Sequence, residues 1–153
     1  MLLWFMTLFA CSPEIMEIEG SIGGSSFTPM TAFYGGPYIV FFSREMDCKE
    51  TYWITKIYRN GEAPYDRDLT ALQIGFNDSD VVPGVYATGG QAPIRASFFT
   101  IDGEAFEVVT GTDGSLNSIS IEDGWASGEF DFSFGDDILS GTYTIPFCTN
   151  LIP

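Results

Sequence analysis

The sequence predicts an all-β protein, an antiparallel β-sandwich, with a barrel as the alternative architecture. Three observations carry that expectation. Phe130, Phe132 and Phe134 alternate with Glu129, Asp131 and Ser133, the period of two that marks a strand with one buried face. Turn signals such as Asp102-Gly103 and Pro83-Gly84 recur about every ten to twelve residues, the spacing of antiparallel sandwiches and barrels. Composition agrees: 16% of residues are aromatic, 14 of them Phe, with 17 Gly and 8 Pro among 153 residues, which suits short strands joined by tight turns. That length provides one domain with a real core but not two.

Met1 to Ala10, MLLWFMTLFA, is uncharged and almost wholly apolar. It is shorter than the roughly 20 residues that span a bilayer and matches the apolar core of an export signal, with a buried hydrophobic strand as the bland alternative. Residues 11–26 carry Glu14, Glu17 and Glu19 before a Gly/Ser run and are expected to form a flexible tether, although Ile15, Ile18 and Ile22 could let the segment add an edge strand. Residues 27–153 are expected to form the single β-domain. Phe27 to Tyr34 and Pro37 to Ser43 read as its first strands, split by Gly35-Gly36. Tyr38 to Phe42, YIVFF, is continuously apolar, as in a strand covered on both faces.

Residues 44–60 read in two ways. Thr51 to Tyr58 has the β-branched and aromatic content of a strand. Asp47 and Glu50 stand at capping-box spacing, and Asn60-Gly61 supplies a stop. A short helix just after Cys48 is the expected outcome. Leu69 to Phe76 is the next strand, and Pro83-Gly84 introduces Val85 to Ala87. Asp102-Gly103 joins Ile94–Ile101 to Ala105–Thr110 as a hairpin, and Asp113-Gly114 repeats that signal before Leu116 to Ile121. The last hairpin runs from Gly124 to Cys148, broken at Gly135-Asp136-Asp137.

Leu8-Phe9-Ala10-Cys11 resembles the lipobox of bacterial lipoproteins, in which a Leu and a small residue precede an acylated Cys. The resemblance implies a signal peptide over residues 1–10, cleavage before Cys11, lipid attachment at Cys11, and a cell-envelope location. Its implied partner is a membrane, expected to be the outer membrane, with the protein facing the periplasm or the cell surface. The strand Gly141-Thr142-Tyr143 leading to Cys148 also looks like the end of small Gram-negative lipoproteins of uncharacterised function. With Cys11 acylated, the remaining two of the three cysteines, Cys48 and Cys148, are left to pair as a disulfide.

Charge and residue inventory narrow the chemistry. Net charge is −15, with 21 acids, 6 bases and no His. Nucleic acid is excluded as a partner, because binding it needs clustered Lys and Arg. From Asp78 onward twelve acids face the single base Arg95; they form either a solvated, self-repelling surface or a surface for a cation or basic partner. Without His, neither Ser-His-Asp nor His-ligated zinc chemistry is possible, and no phosphate-cradling motif occurs. Glu129 with Asp131 is the candidate carboxylate pair for glycoside hydrolysis, set against two solvated neighbours on a strand face. Asp78, Asp80, Asp113, Asp123, Asp136 and Asp137 fall at turns, where calcium ligation competes with ordinary turn chemistry. Tyr34, Tyr38, Trp53, Tyr65, Trp125 and Tyr143 would stack on sugar if several were exposed on one face, and otherwise belong to the core.

The expectation is therefore a lipid-anchored, non-enzymatic, monomeric interaction or structural module without catalytic, metal or cofactor residues. A small calcium- or carbohydrate-binding domain is the alternative.

Overall fold

The computed structural model describes residues 14–51, 68–77, 79–89, 92–103 and 105–151. Among the described residues there are eleven strands: β1 (Ile15–Ile22), β2 (Ser25–Ser26), β3 (Thr31–Gly35), β4 (Tyr38–Phe42), β5 (Leu69–Phe76), β6 (Gly84–Ala87), β7 (Ile94–Asp102), β8 (Ala105–Thr110), β9 (Asp113–Glu122), β10 (Trp125–Phe134) and β11 (Asp137–Pro146), followed by a 3-10 turn, η1 (Thr149–Leu151). They form two open antiparallel sheets, in the orders β2-β1-β11-β10-β9-β6 and β3-β4-β5-β7-β8. The sandwich is realised and the barrel is not, because β2 and β6 end one sheet and β3 and β8 end the other.

The main core lies between the sheets. Alternation on β10 turns Phe130, Phe132 and Phe134 inward, where they meet Phe41, Ile74, Phe76, Ala96 and Phe98 of the opposite sheet. The Phe41 ring sits 5.6 Å from that of Phe130 and 5.7 Å, edge-on, from that of Tyr143. Both are favourable offset or edge geometries. On the six-stranded sheet the inner face alternates large and absent side chains. Gly128 lies opposite Tyr143, Gly141 opposite Phe130, and Gly114 opposite Phe132. A Cβ at Gly128 would meet Tyr143 and the Asn117 carbonyl, and one at Gly141 would meet the Glu17 carbonyl and Ile18. These glycines are needed for close approach rather than for a turn.

A second core covers the other face of the five-stranded sheet. Val40, Phe42, Leu69, Ala71, Phe99 and Ile101 point away from the first core and pack with Met46, Cys148 and Leu151. This explains the uninterrupted YIVFF run: Ile39 and Phe41 serve one core while Val40 and Phe42 serve the other.

Three expectations change. From Ile15 onward the expected tether is strand β1, paired with β11 from Ile15↔Thr144 to Gly20↔Leu139. Its Met16, Ile18 and Ile22 pack against the main core, so the period-two pattern outweighs the flexibility of the nearby Gly/Ser run. Asp113-Gly114 is not a hairpin turn. The chain leaves β8 and crosses to the other sheet at Gly111 and Thr112, whose amides donate to Ala96 and Ser133, and Asp113 already pairs with Ser133 in β9. Phe27 precedes its strand and instead plugs the core, edge-on to Phe98 at 5.3 Å. At the expected helix, the capping box is formed: the Asp47 amide donates to Glu50 Oε2 at 2.9 Å, and the Glu50 amide donates to Asp47 Oδ1 at 2.9 Å. The turn reaches helical geometry at Thr51; residues 52–60, the body of that helix, lie outside the described residues.

Candidate functional site: an acidic sheet face and a disulfide-pinned cap

The outward side chains of the six-stranded sheet line up in register rows. Glu17 lies beside Thr142, which lies beside Glu129, then Asn117 and Val85. In the adjacent row Glu19 is followed by Ser140, Asp131, Ser115 and Ala87. The alternation that buries three phenylalanines thus assembles four carboxylates and a set of hydroxyls on the opposite side. Between the rows runs a shallow trough of about 350 Å³ lined by Ser115, Asn117, Glu129, Asp131 and Thr142. Asn117 donates to Glu129 Oε1 at 3.0 Å, and the hydroxyls of Ser120 and Ser127 lie 2.8 Å apart. None of the described bases, Arg44, Lys49 and Arg95, belongs to this sheet. The face offers acceptors to a cationic or donor-rich surface. Glu129 and Asp131, the candidate hydrolytic pair, are both exposed there.

On the far side, Cys48 and Cys148 form a disulfide with Cα atoms 5.5 Å apart, closing 100 residues of chain. To reach Cys48, the segment after β11 leaves its own sheet and passes β3. The Cys148 amide donates to the Tyr34 carbonyl at 2.8 Å, and Phe147 tilts against the Tyr34 ring at 5.3 Å. Gly35 permits the crossing, because a Cβ there would collide with the Cys148 carbonyl oxygen. The Asn150 amide donates to the Cys48 carbonyl at 3.0 Å, and the Thr51 hydroxyl donates to the same oxygen at 2.7 Å. Cap, terminal segment and second core are therefore one unit.

The described turn carboxylates do not converge. Asp137 Oδ2 accepts from the Gly23 amide at 2.8 Å, and Asp113 Oδ1 accepts from the Gly114 amide at 2.8 Å. Asp123 sits in the left-handed region, φ 51°, in the β9–β10 turn at the other end of β10. Ten residues of strand separate it from Asp136, on the order of 30 Å. Asp80 lies in the loop before β6, and Asp78 is outside the described residues. Among the described residues no three metal-ligating side chains come together. The aromatics divide similarly. Tyr34 and Tyr143 are buried, Tyr38 and Trp125 are half-buried, and Phe147 is the only exposed aromatic among the described residues, at 44%; Trp53, Tyr65 and Cys11 lie outside them.

A pair of buried hydroxyls, those of Tyr143 and Ser118, lies in the main core without a completed hydrogen bond. Burial pushes the Tyr143 phenol far above its ordinary range, and the neighbouring Ser118 hydroxyl offsets this only in part.

Sequence reasoning did not bring Glu17 and Glu19 to Glu129 and Asp131. The signal was present as alternation within each strand, but the β1–β11 register that joins them is tertiary. Comparison with protein-family models, with curated proteins and with solved structures returns no match.

Proposed function

We propose that the chain is a lipid-anchored, non-enzymatic cell-envelope protein that works as an interaction module through the outer face of its six-stranded sheet. The observation that carries the reading is the pair of register rows holding Glu17, Glu19, Glu129 and Asp131 among Ser, Thr and Asn, with no described base in that sheet. Such a face complements a basic protein segment: rim charges of this kind steer encounter and select partners more than they hold them. The Cys48–Cys148 bond supports an oxidising compartment, and the Leu8-Phe9-Ala10-Cys11 motif supports anchoring. Because β1 begins at Ile15, only residues 12–14 would separate an acylated Cys11 from the sheet. The sandwich would then stand directly on the membrane.

The full chain, expressed in a Gram-negative host with labelled fatty acid, is expected to take up label and to partition into the detergent phase. Cys11→Ala is expected to abolish both. Equal labelling of Cys11→Ala would overturn the anchored reading.

A further inference from the structure

We propose that the outer face of the five-stranded sheet carries a binding site for a small hydroxylated monocarboxylate of the sugar-acid class, centred on Arg95 and Tyr38. The site arises from register. Tyr38, Gly75 and Arg95 stand side by side on β4, β5 and β7, and Val40, Gln73 and Ser97 form the next row. With no side chain at position 75, the first row has a gap in its middle. The Tyr38 ring leans over that gap, where a Cβ at Gly75 would lie 3.6 Å from the ring. The resulting cleft is about 260 Å³.

Its polar groups are built in and unused. Gln73 is 6% exposed and Ser97 2% exposed, yet neither side chain has a hydrogen bond to another described residue. Asn77 at the rim donates its amide N–H to the Ala92 carbonyl at 2.6 Å, which leaves its own oxygen free as an acceptor. Arg95 is exposed and makes no ion pair among the described residues, in a chain with 21 acids. A second cleft of about 360 Å³ shares Asn77 and Arg95 with the first and is also lined by Thr88 and Thr110.

Each group selects a part of the ligand. The guanidinium fork takes a planar carboxylate through two parallel hydrogen bonds. Gln73, Ser97 and Asn77 supply the mixture of donors and acceptors that hydroxyls need. The Tyr38 face offers an apolar surface to one side of a ring. A first cleft at the lower edge of ordinary ligand-pocket volumes, roughly 300 Å³, admits one ring. The net charge of −15 disfavours a polyanion, and one guanidinium matches one carboxylate. The site is independent of the anchor and of the acidic face.

The test is a titration of the uniformly 15N-labelled full chain, disulfide intact, with D-glucuronate, D-glucose and acetate in parallel. Glucuronate is expected to give saturable shifts at the amides of Gly75, Arg95 and Ser97 with a dissociation constant in the millimolar range. Glucose, lacking the carboxylate, and acetate, lacking the ring, should each bind about tenfold more weakly or worse. Arg95→Gln, at an exposed position, is expected to lose about tenfold in affinity. Gly75→Leu is expected to abolish the shifts by filling the gap, while the amides of Phe130 and Phe132 stay in place in both variants. The proposal is overturned if glucuronate gives no saturable shift up to about 50 mM. Equal binding of acetate, or unchanged affinity in Arg95→Gln, also overturns it.

Discussion

The two apolar cores of this sandwich are held in different ways. The core between the sheets is closed by the strands themselves, with Phe41, Phe98, Phe130, Phe132, Phe134 and Tyr143 interlocked across the layer. Among the described residues, the core on the outer face of the five-stranded sheet has no second sheet above it. It is covered by irregular chain around Met46, by Leu151 and by the disulfide. Apolar burial alone suffices where two regular surfaces meet. Where the described part of the cover has little regular structure, a covalent tie helps to hold it in place.

Adjacent phenylalanines on β4 test that contrast most strongly. Phe41 and Phe42 are both fully buried but belong to different cores. Either change to Ala is expected to cost about 3–5 kcal/mol, with Phe41 at the upper end because rigid neighbours cannot collapse into the void. Denaturation with the disulfide intact and then reduced separates them. The cost of Phe42→Ala should shrink on reduction and that of Phe41→Ala should not; equal coupling to the bond would break the comparison.

Opening the bond itself comes next. Closing 100 residues corresponds to about 4.7 kcal/mol in the chain-entropy account. Cys48→Ser with Cys148→Ser is expected to lose up to about that amount, with hydrogen-exchange protection falling first at Leu69, Phe99 and Ile101 while Phe130 and Phe132 keep theirs. Uniform loss across both cores would contradict the division.

The main core has one weak point, and removing it should help. Tyr143→Phe deletes a buried hydroxyl that has no completed hydrogen bond, so stability at neutral pH is expected to rise by about 1 kcal/mol. The folded phenol titrates above the ordinary value of 10.0. The neutral form is therefore favoured by folding: its stabilising contribution is complete below pH 10 and is lost as pH rises from there toward the folded pKa. Melts at increasing alkaline pH should show a smaller decline in Tyr143→Phe than in the parent. An identical decline would place the alkaline sensitivity elsewhere.

The smallest effect belongs to the acidic face. Glu17 and Glu129 flank Thr142 across two strand spacings, roughly 10 Å. Glu129→Gln relieves their repulsion and is expected to stabilise by a few tenths of a kcal/mol at low salt, vanishing near 1 M salt as the Debye length falls to about 3 Å. A gain that survives high salt would point to the Asn117 contact rather than to charge.

Alternation made the main core legible in the sequence, since Phe130, Phe132 and Phe134 define a face without reference to any other strand. The second core was half legible. YIVFF announced a strand covered on both sides, but nothing local in Met46 or Leu151 says that they supply the cover. The Asp47–Glu50 box was readable because its bonds join residues three apart. The Arg95 cleft was not, because Tyr38, Gly75 and Arg95 become neighbours only through the pairing of three strands. Asp113-Gly114 misled for a related reason: a turn dipeptide says that the chain can bend, not which sheet it enters afterwards.

The crossing of Cys148 over Gly35 also bears on the order in which the molecule is completed. A chain emerges from synthesis with its N-terminus first, and the bond to Cys48 needs a residue delivered 100 positions later. Until then Val40, Phe42, Leu69 and Phe99 lack the part of their cover that comes from Cys148 and Leu151. A chain interrupted between the end of β11 and residue 148 would leave that part of the apolar surface open to water, chaperones and proteases, even with its two sheets paired. The bond thus reports arrival: it distinguishes a chain that has been delivered through residue 148 from one that has only folded.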